Sequence, residues 1–219
     1  MRVLRETVKN SPYLGIFCAV SEKTALVPES IEKKELKKMQ EALEVEVIKT
    51  SIASSSLIGV LCKGNSEGFV VPEIIEKEEL KKLESQGVKV KVIKGNLALG
   101  NLIAANDKSA LLSPMIPKKS QKEISEFLNV ETLESKIAGN ELTGSSAVVS
   151  NSGFIINMHS SQKEFDKIKK FLNFEGKATT ANYGDSFVGN SVIANSKAII
   201  AGSLSTNVEI LKIQEGLSA

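Results

Sequence analysis

The chain has 219 residues, 42% hydrophobic and 25% charged, a balance ordinary for a soluble globular protein. A formal net charge of +2, with lysines spread beside glutamates, lacks the basic stripe of a protein that lives on phosphate contacts. The start, MRVLRETVKNSP, has no apolar core of a secretion signal, and no window approaches 18 consecutive apolar residues. Two cysteines are too few for a disulfide scaffold, so a reduced cytoplasmic protein is expected.

The first element is an extended stretch, Arg2–Val8, ahead of the line "LGIFCAVSEKTALVPE". That line returns as "IGVLCKGNSEGFVVPE", "LGNLIAANDKSALLSP", "TGSSAVVSNSGFIINM" and "VGNSVIANSKAIIAG". Its glycines are Gly15, Gly59, Gly100, Gly144 and Gly189, at intervals of 44, 41, 44 and 45 residues. Six residues after each glycine stands a turn-former, Ser21, Asn65, Asn106, Ser150 or Asn195. A second landmark keeps the same period: Glu35, Glu79, Glu123, Glu164 and Glu209, each followed by an apolar residue. Five copies of a unit this long indicate one repeat architecture, since a single unit cannot bury its own apolar face.

The third unit shows the expected elements in order. Asn101–Ala105 is a short strand, Asn106-Asp107-Lys108 a turn, and Ala110–Leu112 a return strand stopped by Ser113-Pro114. Lys118–Leu128 sets Ile124, Phe127 and Leu128 on one face at helical spacing, and Val130–Ile137 is extended. Equivalent helices fall at about 33–43, 77–86, 162–172 and 207–217. Each unit therefore reads ββαβ, with approximate bounds 13–52, 57–95, 98–137, 142–181 and 187–217, in one domain spanning 1–219. A helix in every unit and the absence of Trp exclude a WD-type propeller. The fifth unit lacks its last strand and the N-terminus carries a spare one at residues 2–8. The expected fold is a closed five-bladed α/β ring, with that strand completing the fifth unit and removing the open edges.

No catalytic constellation emerges. Cys18 and Cys62 lie in apolar runs and are expected to sit in the first strands of units one and two, and the one histidine, His159, stands at a strand–helix junction, so a thiolate–imidazole pair is not expected. No CxxC, HExxH, Walker A or GxGxxG opening a helix is present, so neither metal nor cofactor is expected.

The lines "SIASSSLIGVLCKGNSEGFVVPE", "LALGNLIAANDKSALLSP", "GSSAVVSNSG" and "VGNSVIANSKAIIAGSLSTNVEIL" resemble translation initiation factor 6, a family of ribosome anti-association factors, over residues 13–217. The resemblance is to its archaeal branch, because the Ser-rich tail of the eukaryotic branch is absent after the fifth helix. It implies the closed pentein ring, no enzymatic activity, and a binding role in translation. The expected partner is the large ribosomal subunit at its intersubunit face, mostly a ribosomal protein near the sarcin–ricin loop, where the ring would block joining of the small subunit. A role in large-subunit maturation is also implied; DNA and membrane are not expected partners, and a monomer is. The resemblance places ribosome contacts on one rim, after each repeat glycine: Ile16, Val60, Asn101, Ser145 and Asn190. Asn101 matches the family's "ALGN" line, whereas Asn190 is placed by the internal repeat. Val60 departs from eukaryotic members, which often carry a basic residue there. Two other readings stay open: a pentein-type guanidino-modifying enzyme, and a ring-shaped scaffold for another partner.

Overall fold

Each unit opens with a helical turn, not with the strand its apolar run suggested. In the computed structural model, which describes residues 1–218, α1 (Leu14–Phe17) leads into β2 (Ala19–Val20), which pairs antiparallel with β3 (Thr24–Pro28). Helix α2 (Lys33–Leu43) then returns the chain to β4 (Glu46–Thr50), parallel to β3. Ala219, the last residue of the expected domain, lies outside the described residues. The second unit repeats this order as α3 (Ile58–Leu61), β5 (Lys63–Asn65), β6 (Gly68–Pro72), α4 (Lys77–Ser85) and β7 (Val90–Ile93). The third is α5 (Leu99–Leu102), β8 (Ile103–Ala105), β9 (Ser109–Leu112), α6 (Lys118–Leu128) and β10 (Glu131–Glu134). The fourth is α7 (Thr143–Ser146), β11 (Ala147–Val149), β12 (Phe154–Asn157), α8 (Gln162–Leu172) and β13 (Gly176–Thr179). The fifth is α9 (Val188–Ser191), β14 (Val192–Ala194), β15 (Ala198–Gly202) and α10 (Asn207–Leu217).

The result is five three-stranded sheets, here called blades. The strand missing from the fifth is β1 (Arg2–Glu6), which runs parallel to β15 from Arg2 opposite Ala198 to Glu6 opposite Gly202. The chain's first strand thus completes the last blade, as the sequence implied, and no blade is left with two strands.

The helical turns close the ring a second time. They pack in succession, α1 on α3, α3 on α5, α5 on α7, α7 on α9 and α9 on α1. A Cβ added at Gly59 would land on the Gly15 carbonyl oxygen, at Gly100 on that of Gly59, and at Gly144 on that of Gly100. At Gly189 it would land on the Gly144 carbonyl, and at Gly15 on that of Gly189, back to the start. Only glycine permits five backbones to meet this closely about one axis. A four-residue apolar run carries too little periodicity to separate a helical turn from a strand, which is why the turns were read as strands.

The core lies between blades as much as within them. Leu26 and Ile48 of the first blade pack with Phe69, Val71 and Leu83 of the second. Likewise Val148 and Ile155 of the fourth pack with Ile199, Ile213 and Leu217 of the fifth. Fully burying one such side chain contributes about 1.5–3 kcal/mol, so separating two blades would expose several such contributions at once. Helix starts are set locally. Glu32/Glu35, Glu76/Glu79, Ser161/Glu164 and Thr206/Glu209 form reciprocal capping boxes on α2, α4, α8 and α10. The glutamate landmark of the repeat is this N3 residue. In the third blade α6 follows Pro117 without a side-chain cap, and Glu123 instead faces Lys91 at 3.7 Å.

Candidate docking face

Strands β2, β5, β8, β11 and β14 run from the glycine turns to the Asn/Ser turns, so the ring has a glycine end and a turn end. Ile16, Val60, Asn101, Ser145 and Asn190 are each the third residue of a glycine-end turn, and the closed contacts of those turns bring all five around one axis. They are not strand starts, as the sequence suggested. Ile16, Val60, Asn101 and Asn190 are partly exposed, whereas Ser145 is only 3% exposed. Four of the five can therefore meet a partner directly. The backbone amides of Asn101 and Asn190 close their turns on Ala98 and Phe187, both at 2.9 Å. Their side-chain amides make no hydrogen bond among the described residues.

Around these positions stands a second circle, the residue preceding each turn: Tyr13, Leu57, Ala98, Leu142 and Phe187. Tyr13 and Leu57 remain 37% and 40% exposed, so this end offers apolar surface. Charge is sparse there. Lys9 lies 5.7 Å from the Phe17 ring centroid and donates to Ser56 Oγ at 3.2 Å, and Lys136 pairs with Glu141 at 2.7 Å.

Three of the loops behind the turns are tied down by capping glutamates. Tight reversals place Lys9–Asn10, Ala53–Ser54, Ala138–Gly139 and Asn182–Tyr183 at positive φ. Glu79 accepts from the N–H groups of Ala53 at 2.7 Å and Ser54 at 2.8 Å, and Glu209 from Gly184 at 2.8 Å and Tyr183 at 3.2 Å. Glu164 accepts from Gly139 at 3.3 Å. Burial pushes the Glu79 carboxyl up, but hydrogen bonds from Ser51, Glu76, Ser54 and Ala53 outweigh it and hold it below the usual carboxylate range. Glu209 is lowered in the same way: burial opposes, and bonds from Thr180, Thr206 and Gly184 prevail. Sequence reading found these glutamates as landmarks but not their second job; the signal was their fixed 20-residue distance from the glycine.

The turn end differs. Asn65 Nδ2 donates to the last carbonyl of α6, at Leu128, at 2.9 Å, and Asn195 Nδ2 to that of α2, at Leu43, at 2.8 Å. Ser150 Oγ reaches the carbonyl of Leu217, which ends α10, at 3.1 Å. These three turn residues cap the helix of the next blade, satisfying carbonyls that have no intrahelical partner, whereas Ser21 Oγ donates to Thr24 of its own hairpin. Asn106 Nδ2 bridges instead to the Ser150 carbonyl at 2.8 Å.

The residues weighed for catalysis are kept apart by burial. Cys18 and Cys62 are buried free thiols that follow α1 and α3 and precede the inner strands in which the sequence suggested they would sit. Burial pushes the Cys62 thiol up to about 12 against a small opposing effect of Lys63, and burial followed by the Glu35 charge raises Cys18 further still. His159 is exposed, its N–H donating to Asn157 Oδ1 at 2.9 Å. Among the described residues, no three His, Cys, Asp or Glu side chains gather as metal ligands, and no helix is long and apolar enough to cross a membrane.

Five blades closed around glycine turns define a five-bladed α/β propeller of the pentein type. A family model described as "eIF-6 family" matches residues 3–216, and the chain belongs to that family. It is 36% identical to translation initiation factor 6 of Pyrococcus abyssi over 224 aligned positions, covering 99% of each chain. The corresponding protein of Pyrococcus horikoshii is 37% identical, again over 99% of each, and that of Thermococcus onnurineus 34% identical over 99% of this chain and 98% of its own. A solved structure, DDAH from Pseudomonas aeruginosa, aligns with 93% of this chain and 72% of its own at TM-score 0.45 and 13% identity.

Proposed function

We propose that the chain is a translation factor that sets its glycine end on the large ribosomal subunit and sterically keeps the small subunit from joining. The observation that carries this reading is the ring of five turns, which holds four partly exposed positions rigidly around one axis within an apolar, charge-poor border. Charge depletion and aromatic enrichment mark the centre of protein–protein interfaces. The partner under this reading is a ribosomal protein on the intersubunit face near the sarcin–ricin loop, met by a monomeric ring acting in the cytoplasm. Obstruction of this kind needs shape and rigidity, not an acid, base or nucleophile, and the buried, protonated thiols support a non-catalytic role. A part in large-subunit maturation belongs to the same reading.

Gradient co-sedimentation with purified subunits tests it. The protein should travel with large subunits, not with small ones, and should reduce the joined particle. Raising salt from 50 to 200 mM should weaken binding far less than the ~10³–10⁵-fold expected of a binder making six to ten phosphate contacts. Migration with neither subunit, or a loss that steep, would overturn it.

A further inference from the structure

The outward face of α10 departs from that of the other four long helices. One position before the landmark glutamate, four units carry Lys34, Glu78, Lys122 and Lys163, and the fifth carries Val208. Two positions after it stand Lys37, Lys81, Ser125 and Asp166, against Leu211. The four polar residues at each position show that the fold itself asks for no apolar side chain there. Val208 and Leu211, three apart on one helix face, are 63% and 60% exposed. Leu204, two residues ahead of the N-cap Thr206, is 60% exposed at the same end. Tyr183 extends the strip: it is 83% exposed and lines one depression with Val208 and Lys212. Its loop is anchored, because Glu209 accepts from the Tyr183 and Gly184 N–H groups at 3.2 and 2.8 Å, so the phenol stands on a fixed backbone. Single exposed apolar residues are ordinary, whereas a group gathered at one helix marks an interaction site.

Cations border this strip. At 3.6 residues per turn, Lys212 lies on one side of the Val208–Leu211 line and Asn207 on the other. Arg5 of β1 donates to Asn207 Oδ1 and so holds its guanidinium on that second side. Both cations are exposed, and neither pairs with a carboxylate among the described residues. The acidic residues of α10 are already engaged: Glu215 pairs with Lys177 at 3.0 Å, and the buried Glu209 serves Thr180, Thr206 and the loop amides. An apolar strip between two available cations is complementary to an acidic, apolar segment laid along the helix. A second copy would bring the same two cations and no available carboxylate to the contact, which charge opposes.

We propose that this face of the fifth blade docks an acidic amphipathic helix of another protein, its apolar residues on Val208, Leu211 and Tyr183 and its carboxylates at Lys212 and Arg5. The surface uses none of the four exposed positions of the glycine-end turns, so the inference does not rest on docking to the large subunit.

Fluorescence anisotropy with two labelled synthetic helical peptides tests it. Both carry the same leucine face, with glutamate at the remaining positions of one and lysine at those of the other. The glutamate peptide should bind the wild-type protein at least about tenfold more tightly than the lysine peptide. Leu211→Ser should weaken that binding about tenfold, and Lys212→Gln should shrink the preference for glutamate. Lys81→Ser, the equivalent change on α4, should leave both affinities as they were. All three positions are exposed, so the variants should melt with the wild type. No binding of the glutamate peptide, a lysine peptide bound as tightly, or an undiminished affinity in Leu211→Ser would each overturn the proposal. Sedimentation velocity and flotation with phosphatidylserine vesicles address the other occupants. Self-association lost in Leu211→Ser would assign the face to a second copy, and flotation lost in that variant would assign it to a lipid surface; either would overturn the proposal. None of these readings involves a ribosome, so their failure is distinct from failure of the co-sedimentation test.

Discussion

At the glycine end five backbone turns meet with no room for a Cβ, and buried glutamates fix the loops behind them. At the turn end the ring is held by side chains: Asn65, Ser150 and Asn195 each reach from one blade to the helix terminus of the next. The two ends are held by different means, and the proposed docking uses that difference. Where backbone closes the ring, side chains such as Asn101 and Asn190 remain free. Where side chains close it, they are already committed.

The largest expected effect breaks both ends together. Deleting residues 1–9 removes β1 from the fifth blade, leaving β15 with an open edge and Lys38 without its partner Glu6. The loss should be several kcal/mol, a large part of a typical ~5–15 kcal/mol, and should appear in chemical denaturation and as aggregation. A truncated protein melting with the wild type would mean that the ring does not depend on this closure.

Next is Gly100→Ala. Its methyl group would meet the Gly59 carbonyl, a backbone atom that cannot move without shifting the adjoining turns. Overpacking of this kind costs about 1–3 kcal/mol and more where nothing yields, so at least about 3 kcal/mol is expected by urea denaturation. Alanine at a turn-end position should be milder by comparison. Asn195→Ala leaves the Leu43 carbonyl without its donor and should cost about 1 kcal/mol. Equal losses would erase the distinction between the two ends.

Acid should act first on the glycine end. Glu79, Glu164 and Glu209 are all held below the ordinary carboxylate range in the folded protein. Their contribution is therefore complete above the unfolded value, near pH 4.3, and is lost as pH falls through the lower folded values. Glu79→Gln and Glu209→Gln should each cost about 1–2 kcal/mol at pH 7 and flatten this acid dependence. Hydrogen exchange at Ala53, Ser54, Tyr183 and Gly184 should accelerate in the matching variant before exchange at Asn65 or Asn195 does. A uniform change across both ends would contradict the latch.

Much of this architecture was legible because the chain repeats itself. The five long helices fall where apolar spacing put them, and β1 was found by matching a surplus strand to a missing one. The helical turns were not legible: "LGIF" and "VGNS" are too short to show a period, and only the meeting of five of them about an axis selects the turn. The candidate face was legible in sequence position but not in exposure. Ser145 occupies the repeat position and is nevertheless buried.

Under the proposed function, recognition belongs to the glycine end alone. Co-sedimentation with large ribosomal subunits should be measured for Asn101→Arg, Asn190→Arg and, at the turn end, the exposed Lys108→Glu. All three are surface changes away from the core and should alter stability by less than about 0.5 kcal/mol. The two glycine-end variants should lose binding at least about tenfold and let subunits join, while Lys108→Glu binds as the wild type does. Loss of binding in Lys108→Glu with both asparagine variants unaffected would place recognition at the other end of the ring and contradict the account.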